Sequence, residues 1–293
     1  MSTHKHIDLI CIAVTIVTLL ITVLFMNGEK LGIEKVIDED LEVYEKTEYF
    51  TANDQNGTWN KKGATKITLG GDKAKVRGRG AYAYQGSVVI KNAGYYVIEG
   101  TLSDGSVIVD TYRSSKVWIM FNGAHISCGD DAALIVEQAE KVFVTLADGS
   151  DNSLISGATI SRDAAEAGRD GAVFARDDLT INGSGALTVS GGYKHGIVAN
   201  DDLVICGSTL TVTAVKDALR TNDSLRIRDA KITVRAGDDG LTADSEDGYI
   251  YIESGIFDLD CEDKVLKSPG LITVAGGTFT VNGEEETFSV YRP

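Results

Sequence analysis

Five consecutive stretches in the second half of the chain share one pattern and decide the fold: VFARDDLTINGSGALTVSGG (173–192), IVANDDLVICGSTLTVTA (197–214), LRTNDSLRIRDAKITVRAG (219–237), LTADSEDGYIYIESGIFDLD (241–260) and VLKSPGLITVAGGTFTVNG (265–283). Their first residues lie 24, 22, 22 and 24 positions apart. Each stretch contains short runs of alternating or β-branched residues, separated by Asn-Asp, Gly-Ser or Gly-Gly turns. A nearly constant period of this length is typical of a solenoid in which each repeat forms one coil.

The pattern predicts an all-β fold, a right-handed parallel β-helix with about 22–24 residues per coil. The runs are too short for useful helices, and an antiparallel sandwich would not keep a fixed period. Equivalent residues of neighbouring coils should stack inside. The first expected column is Val173, Ile197, Leu219, Leu241 and Val265, and the second is Leu179, Leu203, Leu225, Ile250 and Leu271.

The less regular parts of the chain also fit a solenoid. Residues 88–156 have the same short-strand texture and should form the first coils, whereas residues 157–169 interrupt the period and predict a projecting loop or short helix. Both ends of a solenoid need a cap. We expect the segment around Trp59 to cap one end and residues 278–290 to cap the other.

Composition agrees with this fold and excludes some functions. The chain of 293 residues has 32 Gly and only 2 Pro, as strands joined by tight turns require. The formal charge of -15 argues against binding to nucleic acid and favours cations as partners. Cys128, Cys206 and Cys261 show no disulfide or metal spacing, which predicts buried, inert thiols.

The N-terminal region predicts a membrane anchor or signal segment. After a short tail (1–8), residues 9–26 form an uncharged run of 18 residues, about 27 Å of helix, with no A-x-A cleavage site after it. Residues 27–47 are charge-rich and predict a solvated stalk, and residues 48–293 form the β-helix domain. We therefore expect either a cell-membrane protein with an extracellular domain or a secreted protein.

Several motifs give the domain a family resemblance. They are WNKKGATKITLGGD (59–72), GYYVIEGTLSDGSVIVD (94–110), KVWIMFNGAHISCGDDAALIVEQAEKVFVTLADGSDNSL (116–154), RDDLTINGSGALTV (176–189), DDLVI (201–205), NDSLRI (222–227) and GDDGL (237–241). Together they resemble the clostridial carbohydrate-binding β-helix family, which binds cellulose and acidic sugars and has a polysaccharide-lyase-like fold. The resemblance implies a right-handed β-helix, bound calcium and polysaccharide binding without established catalysis. Family repeats commonly have Asp-Gly before the first residue of the coil, and the departures here put some calcium positions in doubt.

Acidic residues recur near the start of successive coils. The position two residues before each coil reads Gly171, His195, Asp217, Asp239 and Asp263. Neighbouring coils lie about 4.8 Å apart, so stacked carboxylates would repel unless a cation such as calcium bound between them. The predicted calcium ligands are Asp202, Asp217, Asn222, Asp223, Asp238, Asp239 and Asp263. The alternative is that these residues only shape turns.

Sugar-binding residues are predicted from aromatic and basic positions. Tyr82 with Tyr84, and Tyr249 with Tyr251, stand at i and i+2 and therefore lie on one face of a strand, where exposed rings stack on sugars. Packing beneath a loop is the alternative for both pairs. Lys194 and Lys216 occupy equivalent positions of neighbouring coils, close to the acidic residues, and are further candidates.

Three functions remain open from the sequence. The first is calcium-dependent binding of plant-type or acidic polysaccharide, such as cellulose or polygalacturonate. The second is a calcium-dependent polysaccharide lyase, which would need a Lys or Arg as base; the nearby Asp residues favour protonated, salt-bridged Lys194 and Lys216 instead. The third is a structural surface or coat protein. With a charge of -15, acidic sugars are expected to need calcium bridges, and cellulose an aromatic strip.

Overall fold

The structure is a computed structural model that describes residues 49–288 except Asn60. The chain divides into two units, Met1–Tyr49 and Phe50–Pro293. The predicted tail, membrane segment and stalk (1–47) therefore lie outside the described residues. Within the described part of the chain, no helix is both long and apolar enough to cross a membrane.

The second unit contains many short strands and two short helices. In its first half the elements are α1 (Ala52–Gln55), β1 (Thr65–Gly71), β2 (Ala74–Arg77), β3 (Ala81–Tyr84), β4 (Ser87–Ile90), β5 (Gly94–Leu102), β6 (Val107–Asp110), β7 (Lys116–Cys128), β8 (Leu134–Gln138), β9 (Lys141–Leu146), β10 (Asp151–Ser156) and α2 (Arg162–Glu166). In its second half they are β11 (Gly171–Ala175), β12 (Asp178–Gly183), β13 (Ala186–Gly191), β14 (His195–Ala199), β15 (Asp202–Cys206), β16 (Thr209–Ala214), β17 (Leu219–Thr221), β18 (Ser224–Arg228), β19 (Ala230–Ala236), β20 (Leu241–Ala243), β21 (Tyr249–Ile252), β22 (Gly255–Cys261), β23 (Leu266–Lys267), β24 (Ile272–Val274), β25 (Thr278–Val281) and β26 (Glu284–Glu286).

These strands form a parallel β-helix of about 8 coils, as the repeat predicted. One side is a nine-stranded sheet in the order β3, β4, β6, β8, β11, β14, β17, β20 and β23. The other strands form a 17-stranded sheet, to which each regular coil adds two strands, for example β12 and β13. Among the described strands, antiparallel pairing occurs only at the ends, in β1–β2, β3–β4 and β25–β26.

The predicted inward columns are confirmed except at the last coil. Val173, Ile197, Leu219 and Leu241 stand in register and are fully buried. The partner of Leu241 is Leu266 rather than Val265, and in the second column the partner of Ile250 is Ile272 rather than Leu271. The last coil therefore enters each sheet one residue later than the period predicted. Because strand side chains alternate with period two, a shift of one residue replaces the inward side chain.

The prediction that the segment 56–71 around Trp59 caps an end is confirmed for its second half, which forms β1, but not for the part up to Trp59. Residues 50–59, which we call the strap, run along the outside of the 17-stranded sheet. Phe50 contacts Tyr251 at a ring distance of 6.0 Å, the Asp54 carboxylate accepts a hydrogen bond from Thr180, and Trp59 Nε1 donates to Thr145 Oγ1 at 3.2 Å. The end is covered by the β1–β2 and β3–β4 hairpins, and β1 belongs to the predicted segment.

The opposite end is capped as predicted, within the described residues. Strand β26 folds back antiparallel on β25, which closes the free edge of the last coil. Phe279 stacks on Phe257 at 4.5 Å, and Phe288 packs edge-on against Phe279 at 4.9 Å. Aromatic side chains thus cover the apolar column where no further coil follows.

The interruption at residues 157–169 contains the short helix α2, as predicted. Arg169 pairs with Asp131 at 2.9 Å and with Glu137, and Arg176 pairs with Glu137 at 2.8 Å while lying over the ring of Phe174. Arg176 also donates to the carbonyl of Ala167. These contacts hold the loop against the outer face of the nine-stranded sheet.

The three described cysteines are free and buried, as expected. Burial raises the pKa of Cys206 to about 12 and that of Cys261 to about 11. Thiols with such pKa values carry very little thiolate at neutral pH and are unreactive.

Candidate functional site

Three of the predicted calcium ligands come together at one edge of the nine-stranded sheet. Asp217 lies just before β17, and Asp238 and Asp239 lie just before β20 in the next coil. Each offers a carboxylate oxygen, and these oxygens lie within 4.8 Å of one another. Asp217 and Asp239 are buried, and Asp238 is half-buried. We call these three residues the acidic group.

Basic side chains surround the acidic group. Lys216 Nζ lies 3.1 Å from Asp238 Oδ2, and the Lys267 ammonium pairs with Asp239. On the remaining side, His195 Nδ1 lies 3.3 Å from Asp217 Oδ2, and Arg220 Nε lies 3.9 Å from the same oxygen. The charges of the three carboxylates are therefore largely balanced by protein cations.

The pKa values follow from these contacts. Burial acts to raise the pKa of Asp217, but its hydrogen bond to His195 and the charges of His195 and Arg220 outweigh burial and hold the pKa below its usual value. The hydrogen bond to Asp238 raises the pKa of Lys216. Arg220 is also held protonated, because its hydrogen bond to Asp244 and the nearby carboxylates outweigh the effect of burial on its pKa.

The carboxylates of the acidic group are spaced closely enough to be compared with the ligands of one cation. Two oxygens bound to one calcium at about 2.4 Å can be at most about 4.8 Å apart, which is the limit that these three carboxylates meet. Thr242, in register between Arg220 and Lys267, has a fully buried Oγ1 without a hydrogen-bond partner in the described structure. This hydroxyl lies on the same outer face of the sheet as the two basic side chains that reach the acidic group.

Asp263 does not belong to this group. It is exposed, and its backbone N–H donates to the carbonyl of Asp238. The backbone N–H of the next residue, Lys264, donates to the Asp239 carboxylate at 3.0 Å. Because the last coil enters the sheet one residue late, Lys264 occupies the place that the repeat gave to Asp263.

The structure places the other predicted ligands elsewhere. Asn222 and Asp223 follow β17 at the far end of that short strand, roughly 16 Å along the chain from Asp217, and Asp202 is the first residue of β15 in the 17-stranded sheet. Asp202 pairs with Arg226 at 2.5 Å, and Asp223 accepts from Ser245 Oγ at 3.2 Å. Burial raises the pKa of Asp201, and the negative charges of Asp178 and Asp223 raise it further. Carboxylates therefore also repel one another at this second place, away from the acidic group.

The predicted sugar-binding residues fall into three places. Lys194 pairs with Asp170 at 3.1 Å, and its equivalent Lys216 adjoins the acidic group. Tyr82 and Tyr84 are 47% and 57% exposed on β3, at the N-terminal end of the solenoid. Tyr251 is only 8% exposed and packs beneath Phe50 of the strap, so it presents no open ring face.

Tyr249 is half-buried on the same strand as Tyr251 and is paired with Ser224 in the neighbouring strand. Tyr251 thus takes the alternative that the sequence allowed, packing beneath the strap, and sugar contact by Tyr249 stays a prediction.

The sequence prediction paired Lys216 with a nearby Asp but missed Lys267, which also neutralises the acidic group. Arg220 and Lys267 point outward from the nine-stranded sheet and stand one residue after the inward residues Leu219 and Leu266. Reading the outward position next to each inward one would have revealed a column of Val198, Arg220, Thr242 and Lys267. A change from apolar to polar along that column marks the part of the surface that the loop at 157–169 leaves open.

Tyr95, Trp118 and Phe143 form a row of aromatic rings that the sequence prediction also missed. Neighbouring rings are stacked, with centroids 4.9 and 5.3 Å apart, on the outer face of β5, β7 and β9. Because the rings face one another, mainly their edges point to solvent. The Trp59 ring packs against the Tyr95 ring at one end of the row, with centroids 5.2 Å apart. This row packs neighbouring coils against one another.

Comparison with known proteins agrees with the family resemblance. A solved structure described as the polysaccharide lyase-like protein from C. thermocellum, a gadolinium derivative, is similar with a TM-score of 0.64 and 28% identity, over 75% of this chain and 95% of that chain. A carbohydrate-binding domain-containing protein of Acetivibrio thermocellus is 32% identical over 151 residues, which are 51% of this chain. The matched part is 53% of that relative, so the chain spans about half the length of the curated relative it matches. The family described as carbohydrate-binding domain-containing protein matches residues 85–290, and the chain belongs to this family.

Proposed function

We propose that this protein binds polysaccharide outside the cell with the help of calcium held by the acidic group. The observation that carries the proposal is the convergence of Asp217, Asp238 and Asp239 within 4.8 Å at the edge of the nine-stranded sheet. Three carboxylates leave several of the six to eight calcium ligand positions for other oxygens. The carboxylate of a uronic acid is a suitable further ligand.

Basic residues beside the acidic group support an acidic ligand. Lys216 and Lys194 are exposed on equivalent turns, and each now pairs with one protein carboxylate. When calcium neutralises the acidic group, Lys216 becomes available for a sugar carboxylate. Charged hydrogen bonds of this kind are stronger than neutral ones. Polygalacturonate is therefore the preferred ligand, and cellulose, which offers only hydroxyls, is the weaker one.

We infer that the site binds and does not cleave. A lyase base must be neutral to take a proton, but carboxylate partners raise the pKa of Arg220, and they raise that of Lys216 while it pairs with Asp238. Incubation with polygalacturonate and calcium should therefore give no unsaturated oligosaccharide. Detection of such a product, lost in Lys216→Ala, would assign the lyase function instead.

The extracellular location rests on the sequence. The uncharged run at residues 9–26 supports either a membrane anchor or a signal segment, and polysaccharides of this class occur outside cells. Fractionation of cells that express the full-length chain tests this, with protease added to intact cells. Protection of the β-helix domain from external protease would contradict the proposal.

Binding and thermal stability together test the calcium site. The full-length chain should sediment with polygalacturonate in calcium and much less in chelator, and calcium should raise the melting temperature. A ligand specific to the folded state stabilises it by about 2.7 kcal/mol at a hundredfold excess over Kd. Asp239→Asn should reduce both effects. Asp201→Asn, which removes one carboxylate that lies near Asp178 and Asp223 and outside the acidic group, should leave them unchanged. Equal effects of calcium on the parent and on both variants would refute the assignment of the calcium site to the acidic group.

A further inference from the structure

The N-terminal end of the solenoid carries a concentration of positive charge. Residues 61–86 contain seven Lys or Arg side chains and a single acidic residue, Asp72, in a chain with a formal charge of -15. Lys73, Lys75, Arg77 and Arg79 are exposed, and none of them forms an ion pair with a described residue. On the later coils, by contrast, most basic side chains pair with a carboxylate.

These residues follow one another along two terminal strands. In β2, Lys75 and Arg77 point outward, while Ala74 and Val76 pack against the core. In β3, Tyr82 and Tyr84 share the outer face. Among the described strands, β2 pairs only with β1 and β3 pairs only with β4, so both form the outermost strands of the described stack. We call Lys73, Lys75, Arg77, Arg79, Tyr82 and Tyr84 the basic edge.

The two ends of the basic edge meet at a hollow. Lys73 and Tyr84 both line this cavity of about 250 Å³, together with Asp72, Ala74, Ala83 and Gln85. One basic side chain and one half-exposed phenol ring therefore border the same concave surface. A hollow of this size suits a single sugar ring, with a charged group at one side and an apolar face at the other.

Distance separates the basic edge from the acidic group. Six strand steps lie between β3 and β17 in the nine-stranded sheet, which corresponds to roughly 29 Å. Interactions between exposed charges are screened beyond about 8 Å at physiological ionic strength. The local positive charge therefore governs an approaching anion here, and the net charge of -15 does not prevent direct binding.

We propose that the basic edge is a second carbohydrate site, which binds a polyanionic polysaccharide directly and without calcium. The proposal rests on the proposed function only for the ligand class, a polysaccharide. Lys and Arg side chains bind the carboxylates along the chain, and Tyr84 stacks on a sugar ring at the hollow. The expectation that acidic sugars need calcium bridges then holds for the acidic group alone.

The same features have a structural explanation that an experiment must separate. Charged side chains on an outermost strand also prevent pairing with other chains. That role requires charge but no particular ligand. A site for anionic lipid headgroups would require the same lysines, without the tyrosines.

Matched lysine variants of the full-length chain provide the test. Lys73→Ala/Lys75→Ala removes two exposed lysines without a described ion pair from the basic edge, and Lys231→Ala/Lys264→Ala removes two such lysines from later coils. In the presence of chelator, binding to polygalacturonate should weaken about tenfold or more in the first variant and stay near the parent value in the second. Tyr84→Ala should weaken binding, and Tyr84→Phe should retain it.

The ligand provides a second comparison. Fully methyl-esterified polygalacturonate has the same backbone without its charges and should bind poorly in chelator. Raising NaCl from about 50 to 200 mM should weaken binding to polygalacturonate, as for other polyanions.

Three results would overturn the proposal: no binding in chelator, equal binding by the two double variants, or equal binding of the esterified polymer. Loss of binding to phosphatidylglycerol vesicles in the first variant, with polygalacturonate binding intact, would also overturn it and assign the surface to lipid. Calcium-dependent binding that depends on Asp239 is measured separately, so either site can fail alone.

Discussion

Replacing Asp54 by alanine is expected to loosen the strap and destabilise the whole domain. The Asp54 side chain is fully buried, accepts hydrogen bonds from Thr51 and Thr180, and lies 3.0 Å from the Lys141 ammonium. Lys141 is itself only 11% exposed. Removing one member of a buried pair costs about 3–5 kcal/mol, and the carboxylate that then remains near Lys141 is that of Asp178, at the longer distance of 3.9 Å. The change also removes the capping box of α1, since Asp54 accepts from the backbone of Thr51.

The stabilisation by Asp54 should depend on pH. Burial acts to raise its pKa, but the hydrogen bond from Thr180 and the charge of Lys141 outweigh burial, so the folded-state pKa lies below the ordinary value of 3.8. A carboxyl with a lowered pKa stabilises the fold above the unfolded pKa and loses this contribution as pH falls through the folded pKa. The difference between parent and Asp54→Ala should therefore be full at pH 7 and shrink below pH 3.8.

Urea unfolding and thermal melting at pH 7 measure this effect. A loss of 3–5 kcal/mol corresponds to a fall in melting temperature on the order of 10 °C for a domain of this size. Asp247→Ala is the matched control, because it removes one exposed carboxylate without a described partner. If the two variants differ by less than about 0.5 kcal/mol, the strap does not stabilise the solenoid in the way described.

Three further predictions concern the stack and its loop. Leu203→Ala should lower the free energy of unfolding by about 2–5 kcal/mol, because Leu203 is fully buried in an inward column. Thr211→Ala, at an exposed position, should change it by less than about 0.5 kcal/mol. Equal urea midpoints of the two variants would contradict the assignment of faces. Gly183→Ala should reduce the melting temperature, since Gly183 has a φ of 98° and an added Cβ would lie 2.2 Å from a carbonyl oxygen of the preceding coil; an unchanged melting temperature would count against this geometry. Glu137→Ala should speed trypsin cleavage at Arg162, because Glu137 is the partner shared by the two arginines that hold the loop; cleavage at the parent rate would show that other contacts hold it.

The repeat allowed the coil architecture to be predicted because its spacing is a local property of the sequence. A fixed period places Val173, Ile197, Leu219 and Leu241 in register without any knowledge of distant contacts. The same reasoning failed at Val265. A regular period does not show where one turn is longer by a residue, and such a turn shifts the register of the strand that follows it.

The strap and the acidic group differ in how much the sequence could reveal. Nothing near Trp59 indicates that its indole reaches Thr145, which lies 86 residues away along the chain. The acidic group was predicted correctly for Asp217, Asp238 and Asp239 as neighbours, since the repeat fixes their columns. The salt bridge of Lys216 was expected, but Lys267 was missed, because outward positions carry no periodic apolar signal.

The strap also changes how the solenoid should unfold. In an ordinary stack each coil contacts only its neighbours, so coils at an end can fray independently. Here a single segment touches Tyr95 on β5 through Trp59, Thr180 on β12 through Asp54, and Tyr251 on β21 through Phe50. Opening an intermediate coil must therefore detach contacts to coils far from it. The strap couples distant coils into one cooperative unit, which lets a thin rod of short strands melt in a single transition.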